Sequence, residues 1–441
     1  MNIIIAGAGN VGYRLAKTLS FKHNVTVIDK NADALGVLLE SIDVLSITGD
    51  IEDPDTYRSL LNRSFDIFIA VTDSDEANIL STLIADDAID AKKKIIRLKN
   101  EYFAKSSITQ KLGVSDAVFP FVETARSVRS LLDFPKANNV KEFIYTDFKL
   151  ISVFVQNSEL EGEEISRLNG EGSVVVGLER NKEFWIPEEN ERLQQHDLLY
   201  FFGDAEHIRE LCSKIDTKMP KKINKIAIFG AGLLGVEIAK LLLERDIQLK
   251  VIERDATLCK RASEQLQDRA SIINSRYVEH TIFDEEQIRH SDMVISTDTE
   301  DEENIIRCLE AKERGVEKTV AINNATEHYE LMHKLGIVAS RGPKTNAYYA
   351  ILEKIGSSAV ISEKHYCGGR AAVFTRKIFE NSPLIGKKIR PFQNRGIRSY
   401  IVKRGEILPF TEKRELEMDD VIFVFLRATE EEKVKQWIYS L

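Results

Sequence analysis

Short apolar runs alternate with amphipathic stretches along the first quarter of the chain. The run IIIAG at residues 3–7 is followed by VGYRLAKTLS, and the alternation continues with the apolar runs VTVID, VLSIT, DIFIAV, KIIRL and AVFPF. The stretch DEANILSTLIADDA, between DIFIAV and KIIRL, is predicted to be a helix. Strands that alternate with helices build parallel sheets through βαβ units. The pattern therefore predicts an α/β fold: a six-stranded, doubly wound, Rossmann-like domain over residues 1–122.

The second half of the chain repeats the first. GAGNVG at residues 7–12 returns as GAGLLG at 230–235, and DSDEANIL at 73–80 returns as TEDEENII at 299–306. An ordered series of matches of this length indicates a tandem duplication. We therefore expect a second Rossmann-like domain over residues 223–343.

The pattern of apolar and polar residues changes after each predicted large domain. A helix and linker are expected over residues 123–140 and 344–362, with Pro135 as the first stop signal. Beyond each linker, short strands alternate with turns, as in SVVVGLERNKEFWIP and SYIVKRGEILPF. The sequence therefore predicts smaller α+β subdomains over residues 141–217 and 363–441.

Composition narrows the class of protein. Among 441 residues, 61 Lys and Arg face 70 Asp and Glu, which gives a net charge of −9 without a dense basic block. A nucleic-acid partner is not expected, because neutralising phosphates requires a concentrated positive face. The apolar runs are shorter than the roughly 20 residues of a membrane span, and the N-terminus lacks the pattern of a signal peptide. We expect a cytoplasmic protein.

The four cysteines carry no recognisable ligand spacing. Cys212, Cys259, Cys308 and Cys367 are scattered without a CxxC pair, which favours reduced, structural thiols. The eight histidines also lack tight ligand spacing, and His328 and His333, five residues apart, are interpreted as parts of a solvated helix surface. No metal site is expected.

The glycine motif carries the clearest chemical signal. Gly7, Gly9 and Gly12 follow a predicted strand and open a predicted helix, an arrangement in which backbone N–H groups face a pyrophosphate. Asp29 ends the second strand, where a carboxylate accepts from the ribose hydroxyls of an adenosine. Such an acid repels a 2′-phosphate, so NAD(H) or an adenine nucleotide is favoured over NADP(H). The residues do not separate NAD(H) from ATP or ADP.

The second copy keeps the turn and changes its surroundings. Gly230, Gly232 and Gly235 recur, and Glu253 takes the place of Asp29. The repeat aligns Gly49 and Asp50 with Ser275 and Arg276, and it aligns Arg97 with Ala321. An arginine at a strand end can contact a phosphate. We therefore expect the second site to bind more weakly or to bind a different ligand, with simple drift as the alternative.

One catalytic pattern invites comparison with dehydrogenases. Tyr145 and Lys149 form a YxxxK, with Ser130 upstream. The surrounding segment alternates like a strand, which places the two side chains about 13 Å apart instead of on one helix face. Two nucleotide turns without a catalytic partner favour a sensor over an enzyme.

Several segments resemble the RCK (also called KTN) family. GAGNVG, VIDKN, TGDIEDP, VTDSDEANI and IIRLKN resemble its nucleotide-binding half, and ELEGEEISRLNGEGSVVVGLERN resembles its C-terminal subdomain. Two such pairs in tandem are similar to the TrkA-type regulatory proteins of bacterial Trk potassium-uptake systems. The resemblance implies a cytosolic regulator, peripheral to the membrane, that docks on a potassium-translocating membrane subunit and assembles as a homo-oligomeric ring of RCK domains.

The resemblance also implies which residues bind the nucleotide. In the family, NAD(H) and ATP or ADP bind in the crevice of the N-terminal subdomains. Carried over to this chain, the first set is Gly7, Ala8, Gly9, Asn10, Val11, Asp29, Asp50, Thr72, Asp73 and Arg97. The second set is Gly230, Ala231, Gly232, Leu233, Leu234 and Glu253.

Four other interpretations stay open at this point. In one alternative, the chain is an NAD-dependent oxidoreductase whose small subdomains hold a substrate. It is alternatively an assembly module that binds no ligand. Within the class of sensors, it alternatively regulates another cation transporter or antiporter, or reads a cyclic dinucleotide in the small subdomain.

Overall fold

The structure is a computed structural model. It describes residues 1–61, 63–143, 145–170, 172–218, 222–275, 281–355, 361–392, 394 and 396–441. The chain forms two compact units. The first unit contains residues 1–123 and 342–360, and the second contains residues 124–341 and 361–441.

The first large domain is a six-stranded parallel sheet with the strand order β3-β2-β1-β4-β5-β6. Its strands are β1 (Asn2–Ala6), β2 (Asn24–Asp29), β3 (Leu45–Thr48), β4 (Ser64–Ala70), β5 (Asp90–Arg97) and β6 (Asp116–Val118). Ile3, Ile4 and Ile5 are fully buried because helices cover both faces of such a sheet. The strand order reverses between β1 and β4, which places a crevice beyond their carboxyl ends. The predicted doubly wound α/β fold is confirmed.

The helices of this domain follow its strands. They are α1 (Asn10–Leu19), α2 (Ala32–Ser41), α3 (Asp75–Ala88), α4 (Glu101–Lys105) and α5 (Ile108–Lys111). The stretch DEANILSTLIADDA forms α3 as predicted, and Ser74 caps it by accepting from the N–H of Ala77. The run AVFPF is a strand only to Val118, because α6 (Pro120–Asp133) begins at a proline suited to a first helical turn.

The first small subdomain is a five-stranded antiparallel sheet with one helix. Its strand order is β10-β9-β11-β8-β7. The elements are β7 (Asn139–Phe143), β8 (Thr146–Phe154), β9 (Ser173–Arg180), β10 (Glu183–Trp185), β11 (Leu198–Gly203) and α7 (Ala205–Ile215).

The second large domain repeats the topology of the first. Its six parallel strands run in the order β14-β13-β12-β15-β16-β17. The strands are β12 (Lys225–Phe229), β13 (Gln248–Glu253), β14 (Ser271–Asn274), β15 (Met293–Ser296), β16 (Lys318–Asn323) and β17 (Val338–Arg341). The helices are α8 (Leu233–Leu242), α9 (Ala256–Leu266), α10 (Ile282–Glu285), α11 (Asp301–Glu313), α12 (Tyr329–Lys334) and α13 (Pro343–Ile355).

The second small subdomain repeats the antiparallel architecture, with the order β18-β19-β22-β20-β21. Its elements are β18 (Ser362–Tyr366), β19 (Ala371–Lys377), β20 (Ile397–Lys403), β21 (Glu406–Pro409), β22 (Val421–Arg427) and α14 (Glu431–Ser440). The two small subdomains share one apolar core. In it the ring of Phe143 meets those of Phe202 and Phe423 edge to face, at centroid distances of 5.5 and 5.0 Å.

The helix that follows each large domain belongs largely to the other compact unit. Helix α13 lies in the first unit, where the Tyr348 hydroxyl and Thr18 Oγ1 are 2.7 Å apart and the Arg14 guanidinium lies over the Tyr348 ring. Helix α6 packs in the second unit, where Asp133 accepts from Arg245 at 2.6 Å. The boundaries given above for the four domains and two linkers stay predictions.

Two expectations from composition have structural counterparts. The four cysteines are buried and are not joined in disulfides, and their reduced state stays a prediction. Across the described residues, each helix falls short of the length or the hydrophobicity that crossing a lipid bilayer requires.

Candidate functional site

The turn after β1 requires two of its three glycines. Gly7 has φ +113°, and its N–H donates to the carbonyl of Ile28 at 2.8 Å. A methyl group added at Gly12 would lie 1.8 Å from the carbonyl oxygen of Gly7. The first glycine therefore makes the tight turn and the third allows the helix to approach it, as predicted.

Gly9 differs from the other two glycines. It has the ordinary extended angles φ −64° and ψ −176°. Apart from Gly9 and its two chain neighbours, no described residue has an atom within 4 Å of a methyl group added there. No side chain of the described residues caps α1. Gly9 and Asn10 are exposed at this uncapped helix start, while Ala8 and Val11 are buried beneath it. The free N–H groups and the open space fit a pyrophosphate.

The carboxylate of Asp29 holds the glycine turn in place. Its Oδ2 accepts from the N–H of Ala8 at 2.6 Å, and its Oδ1 accepts from the N–H of Asn31 at 2.8 Å. Each carboxylate oxygen has a second lone pair. Asp29 is half-buried and therefore retains acceptor capacity for ribose hydroxyls.

Asn78 joins the ends of β4 and β5. Its Oδ1 accepts from the N–H of Thr72 at 2.9 Å, and its Nδ2 donates to the carbonyl of Arg97 at 2.9 Å. The side chain is buried, so it fixes both strand ends at the crevice. Our sequence reasoning missed this residue, although the repeated DEAN and DEEN at 75–78 and 301–304 carried the signal.

Arg97 is a nearly buried cation at the crevice, 4% exposed. Its Nη1 donates to Asp73 Oδ1 at 3.1 Å and approaches the carbonyl of Thr72 at 3.4 Å. Its Nε has no acceptor among the described residues. Desolvation raises the pKa of Asp73, but the positive charges of Arg97 and Lys99 outweigh it, so that this pKa lies below its usual value. A guanidinium at the end of β5 is the type of group that binds phosphate, and contact of Arg97 with a ligand stays a prediction.

Asp50 lies on the exposed loop after β3. The preceding Gly49 donates its N–H to the carbonyl of Asp29 at 3.1 Å, which brings the loop beside the acid of β2. Asp50 Oδ1 accepts from the N–H of Glu52 at 3.0 Å. The structure thus gathers Asp50 and Asp29 at the carboxyl edge of the sheet, while contact of either with a ligand stays a prediction.

The second copy reproduces the turn in detail. Gly230 has φ +104°, and a methyl group added at Gly235 would lie 1.9 Å from the carbonyl oxygen of Gly230. No atom of the described part of the chain lies within 4 Å of a methyl group added at Gly232. Leu233 is 65% exposed where the first copy has Asn10, and Leu234 is buried.

Glu253 plays the role of Asp29 in the second copy. Its Oε2 accepts from the N–H of Ala231 at 2.7 Å, and its Oε1 accepts from the N–H of Asp255 at 2.9 Å. Its side chain is more buried than that of Asp29. The second acid therefore has less exposed surface for an added ligand.

The alignment of the two copies needs one correction. Asn304 Nδ2 donates to the carbonyl of Ile322 at 2.9 Å, as Asn78 does to Arg97, so Ile322 is the counterpart of Arg97 and the assignment to Ala321 is wrong. A shift of one residue exchanges the two faces of a strand. The second copy still lacks a cation at this position.

The loop after β14 is described only at its start. Ser275 donates its N–H to the carbonyl of Glu253 at 3.0 Å, as Gly49 does to Asp29, and is the counterpart of Gly49. Arg276, aligned with Asp50, lies outside the described residues.

The interpretation of His333 as a solvated surface residue is wrong. Its side chain is 17% exposed, and its Nε2 lies 2.6 Å from Glu179 Oε2. Cys367 joins the same cluster, with Sγ at 3.2 Å from Glu179 Oε2. No sequence spacing connects these residues, because Glu179 lies 154 positions from His333 and 188 positions from Cys367.

The YxxxK pattern does not form a dehydrogenase-like helix. Lys149 lies on β8, so Tyr145 and Lys149 do not share a helix face, as expected.

Comparison with known proteins gives the family. The model of the TrkA-N domain matches residues 3–120 and 226–340, and that of the TrkA-C domain matches residues 150–216. The chain is 28% identical to a Trk system potassium uptake protein TrkA homolog of Archaeoglobus fulgidus over 99% of both chains. It is 25% identical to Trk system potassium uptake protein TrkA of Vibrio alginolyticus over 97% of this chain and 96% of that protein.

Solved structures share the fold. The RCK domain of GsuK superimposes with a TM-score of 0.59 at 17% identity, over 100% of this chain and 95% of that one. The GsuK channel bound to NAD superimposes equally well at 18% identity, over 100% of this chain and 79% of that one. The TrkA-N matches cover more than half of the sequence, and the chain belongs to the TrkA-N domain family, with a TrkA-C domain after the first copy.

Proposed function

We propose that the chain is a nucleotide-sensing regulatory subunit of a potassium-uptake system. One observation carries the nucleotide part: Gly9 faces open space at an uncapped helix start, beside Asp29, which holds the turn, and in the same domain Arg97 ends β5. These are the features that recognise a pyrophosphate and an adenosine ribose. The ligand class is NAD(H), with ATP or ADP as the alternatives, because each of these also carries an adenosine and a pyrophosphate.

The potassium part rests on relatives. Proteins named for Trk potassium uptake match this chain over nearly its full length. We propose that this chain docks on the cytoplasmic side of a membrane subunit that translocates potassium, as a homo-oligomeric ring. Ligand binding then shifts the ring between conformations that hold the pore differently.

The first copy is proposed as the controlling site. It combines Gly9, Asp29 and Arg97, whereas the second copy has Ile322 in place of the arginine and an exposed Leu233 at the helix start. A phosphate contact to a buried guanidinium contributes about 1.5–3 kcal/mol. That difference favours tighter binding at the first copy.

A thermal-shift series with NAD, NADH, ATP and ADP tests the binding. A ligand at about 100 times its dissociation constant stabilises the state it binds by roughly 2.7 kcal/mol. We expect a rise in melting temperature with at least one of the four, and no consumption of NADH over the same period. Absence of a shift with all four overturns the sensor, and NADH consumption with a carbonyl substrate favours the oxidoreductase alternative.

Potassium uptake in the native host tests the regulatory role. A strain lacking the chain is complemented with wild type or with Gly9→Ala, and rubidium uptake is measured at limiting potassium. We expect wild type to restore uptake and Gly9→Ala to alter its level at equal protein abundance. Uptake that does not depend on the chain contradicts the potassium assignment.

A further inference from the structure

Three ligand-type side chains converge where the small subdomains meet the second large domain. Glu179 comes from β9, His333 from α12, and Cys367 from the turn after β18. Their carboxylate oxygen, imidazole nitrogen and thiol sulfur all lie within 4.8 Å of one another. Glu179 and Cys367 are buried and His333 is 17% exposed. The cluster is distinct from both nucleotide turns.

The turn that presents Cys367 is conformationally unusual. Cys367, Gly368 and Gly369 have φ values of +52°, +63° and +88° in succession. A side chain in this region costs of order 1–3 kcal/mol, and such strain collects at functional sites. A methyl group added at Gly368 would lie 3.0 Å from Cβ of His333, so the glycine lets the histidine approach. The backbone thus brings the thiol and the imidazole together.

Neighbouring groups orient the carboxylate. Arg370 Nη2 donates to Glu179 Oε1 at 2.7 Å and lies 3.2 Å from the sulfur of Cys367. Oε1 is therefore used by the guanidinium, while Oε2 faces the histidine and the cysteine. Arg370 thus orients the carboxylate of Glu179, as an outer partner orients a metal ligand.

We propose that Glu179 Oε2, His333 Nε2 and Cys367 Sγ bind one Zn²⁺ ion or a similar borderline transition-metal ion. A set of one nitrogen, one sulfur and one oxygen suits zinc, whereas Mg²⁺ and Ca²⁺ prefer oxygen ligands alone. On binding, the ion takes an electron pair from each atom, and the thiol proton and any proton on Nε2 pass to water. Oε2 and Nε2 must separate from 2.6 Å to about 3.3 Å to sit tetrahedrally around zinc.

The fourth ligand is a water from the adjoining cavity. A cavity of about 40 Å³ is lined by His333 and Cys367 together with Tyr200 and Lys141. This volume holds at least one water molecule. An ion here joins three segments from both small subdomains and the second large domain, so zinc binding stabilises their packing.

A second group offers a comparison. Glu363, His365 and Glu431 also bring their ligand atoms within 4.8 Å, and His365 Nε2 lies 3.0 Å from Glu431 Oε2. This group has no sulfur and is only half-buried. Spectroscopy of a metal–thiolate bond therefore distinguishes the two.

The test uses the full-length protein, stripped of metal by a chelator and titrated with Co²⁺ and then Zn²⁺. We expect a thiolate-to-cobalt charge-transfer band that saturates at one ion per chain and is displaced by Zn²⁺. Cys367→Ser should abolish the band, and His333→Gln should weaken Co²⁺ binding about tenfold or more. Cys212→Ser, a buried cysteine in neither described group, should keep the band.

X-ray absorption of the zinc-loaded wild type tests the proposal without any variant, so its result does not depend on whether a variant folds. We expect one sulfur in the first coordination shell. No charge-transfer band in wild type, no sulfur around zinc, or a band that survives Cys367→Ser overturns the proposal. Metal-induced stabilisation that only His365→Gln removes assigns the ion to the second group, and also overturns it.

Discussion

The carboxylate of Asp29 accepts the backbone N–H of Ala8 at 2.6 Å. The equivalent bond in the second copy joins Glu253 and Ala231 at 2.7 Å. The acid that sequence reasoning assigned to the ribose is therefore also part of the turn. Loss of ligand binding in an Asp29 variant would not by itself separate these two roles, so stability and binding must be measured separately.

Asp29→Ala should destabilise the first unit. The N–H groups of Ala8 and Asn31 lose their acceptor, and leaving a partly buried donor unpaired costs about 1–3 kcal/mol. Urea unfolding measures this cost. Asp50→Ala is the matched control, because Asp50 is exposed and surface changes usually stay within about 0.5 kcal/mol. Equal stability of Asp29→Ala and wild type contradicts the turn-holding role.

Gly12→Ala should destabilise the fold severely. The added methyl group lies 1.8 Å from the carbonyl oxygen of Gly7, so the helix or the turn must shift, at a cost of about 3 kcal/mol or more. The measurement is the free energy of unfolding. If the variant gives no soluble protein, the yield of soluble protein is compared with that of wild type. Gly36→Ala in α2, where the methyl group meets no atom of the described residues, should be neutral or stabilising by up to about 1 kcal/mol. The reverse ranking refutes the account of the turn.

Arg97→Met should weaken nucleotide binding. The loss of a charge-assisted phosphate contact corresponds to about 1.5–3 kcal/mol, which is roughly a 10- to 150-fold rise in dissociation constant. Lys99→Met is the control, since Lys99 lies 3.6 Å from the same Asp73 but is 30% exposed, and it should change affinity less. Calorimetric titration measures both. Unchanged affinity in Arg97→Met removes the arginine from the site.

Lys318 should make stability rise with alkaline pH. Its Nζ donates to the carbonyls of Pro135 and Ala137 at 3.0 and 2.9 Å, and burial lowers its pKa to about 7. Between about pH 7 and the ordinary lysine pKa near 10.4, the unfolded chain holds a proton that the folded chain has released, so this contribution to stability increases with pH. Wild type should gain up to about 2 kcal/mol over Lys318→Met between roughly pH 7 and 9. A difference that does not change with pH contradicts this.

Local sequence patterns were sufficient to predict most of the fold. The glycine spacing placed the turn between β1 and α1, the DEANILSTLIADDA stretch matched α3 from end to end, and the internal repeat predicted the second sheet. These elements are determined by periodicity and turn chemistry within short windows.

Features that depend on contacts between residues far apart in the sequence could not be predicted from the sequence. The counterpart of Arg97 was displaced by one position, because strand register is set by pairing with neighbours rather than by the strand itself. His333 looked solvated because its partner Glu179 lies 154 residues away. The position of α13 against α1 likewise depends on a contact between chain ends of the first unit.

The affinity of Gly9→Ala for NADH and ATP tests the central claim most directly. The backbone at Gly9 is compatible with alanine and no described atom crowds the added methyl group, so stability should be unchanged while the methyl group occupies the space of the pyrophosphate. Calorimetric titration should show affinity at least about tenfold below wild type, a loss of roughly 1.4 kcal/mol, with Gly232→Ala retaining the tighter binding. Full affinity in Gly9→Ala, with loss in Gly232→Ala, would contradict control by the first copy.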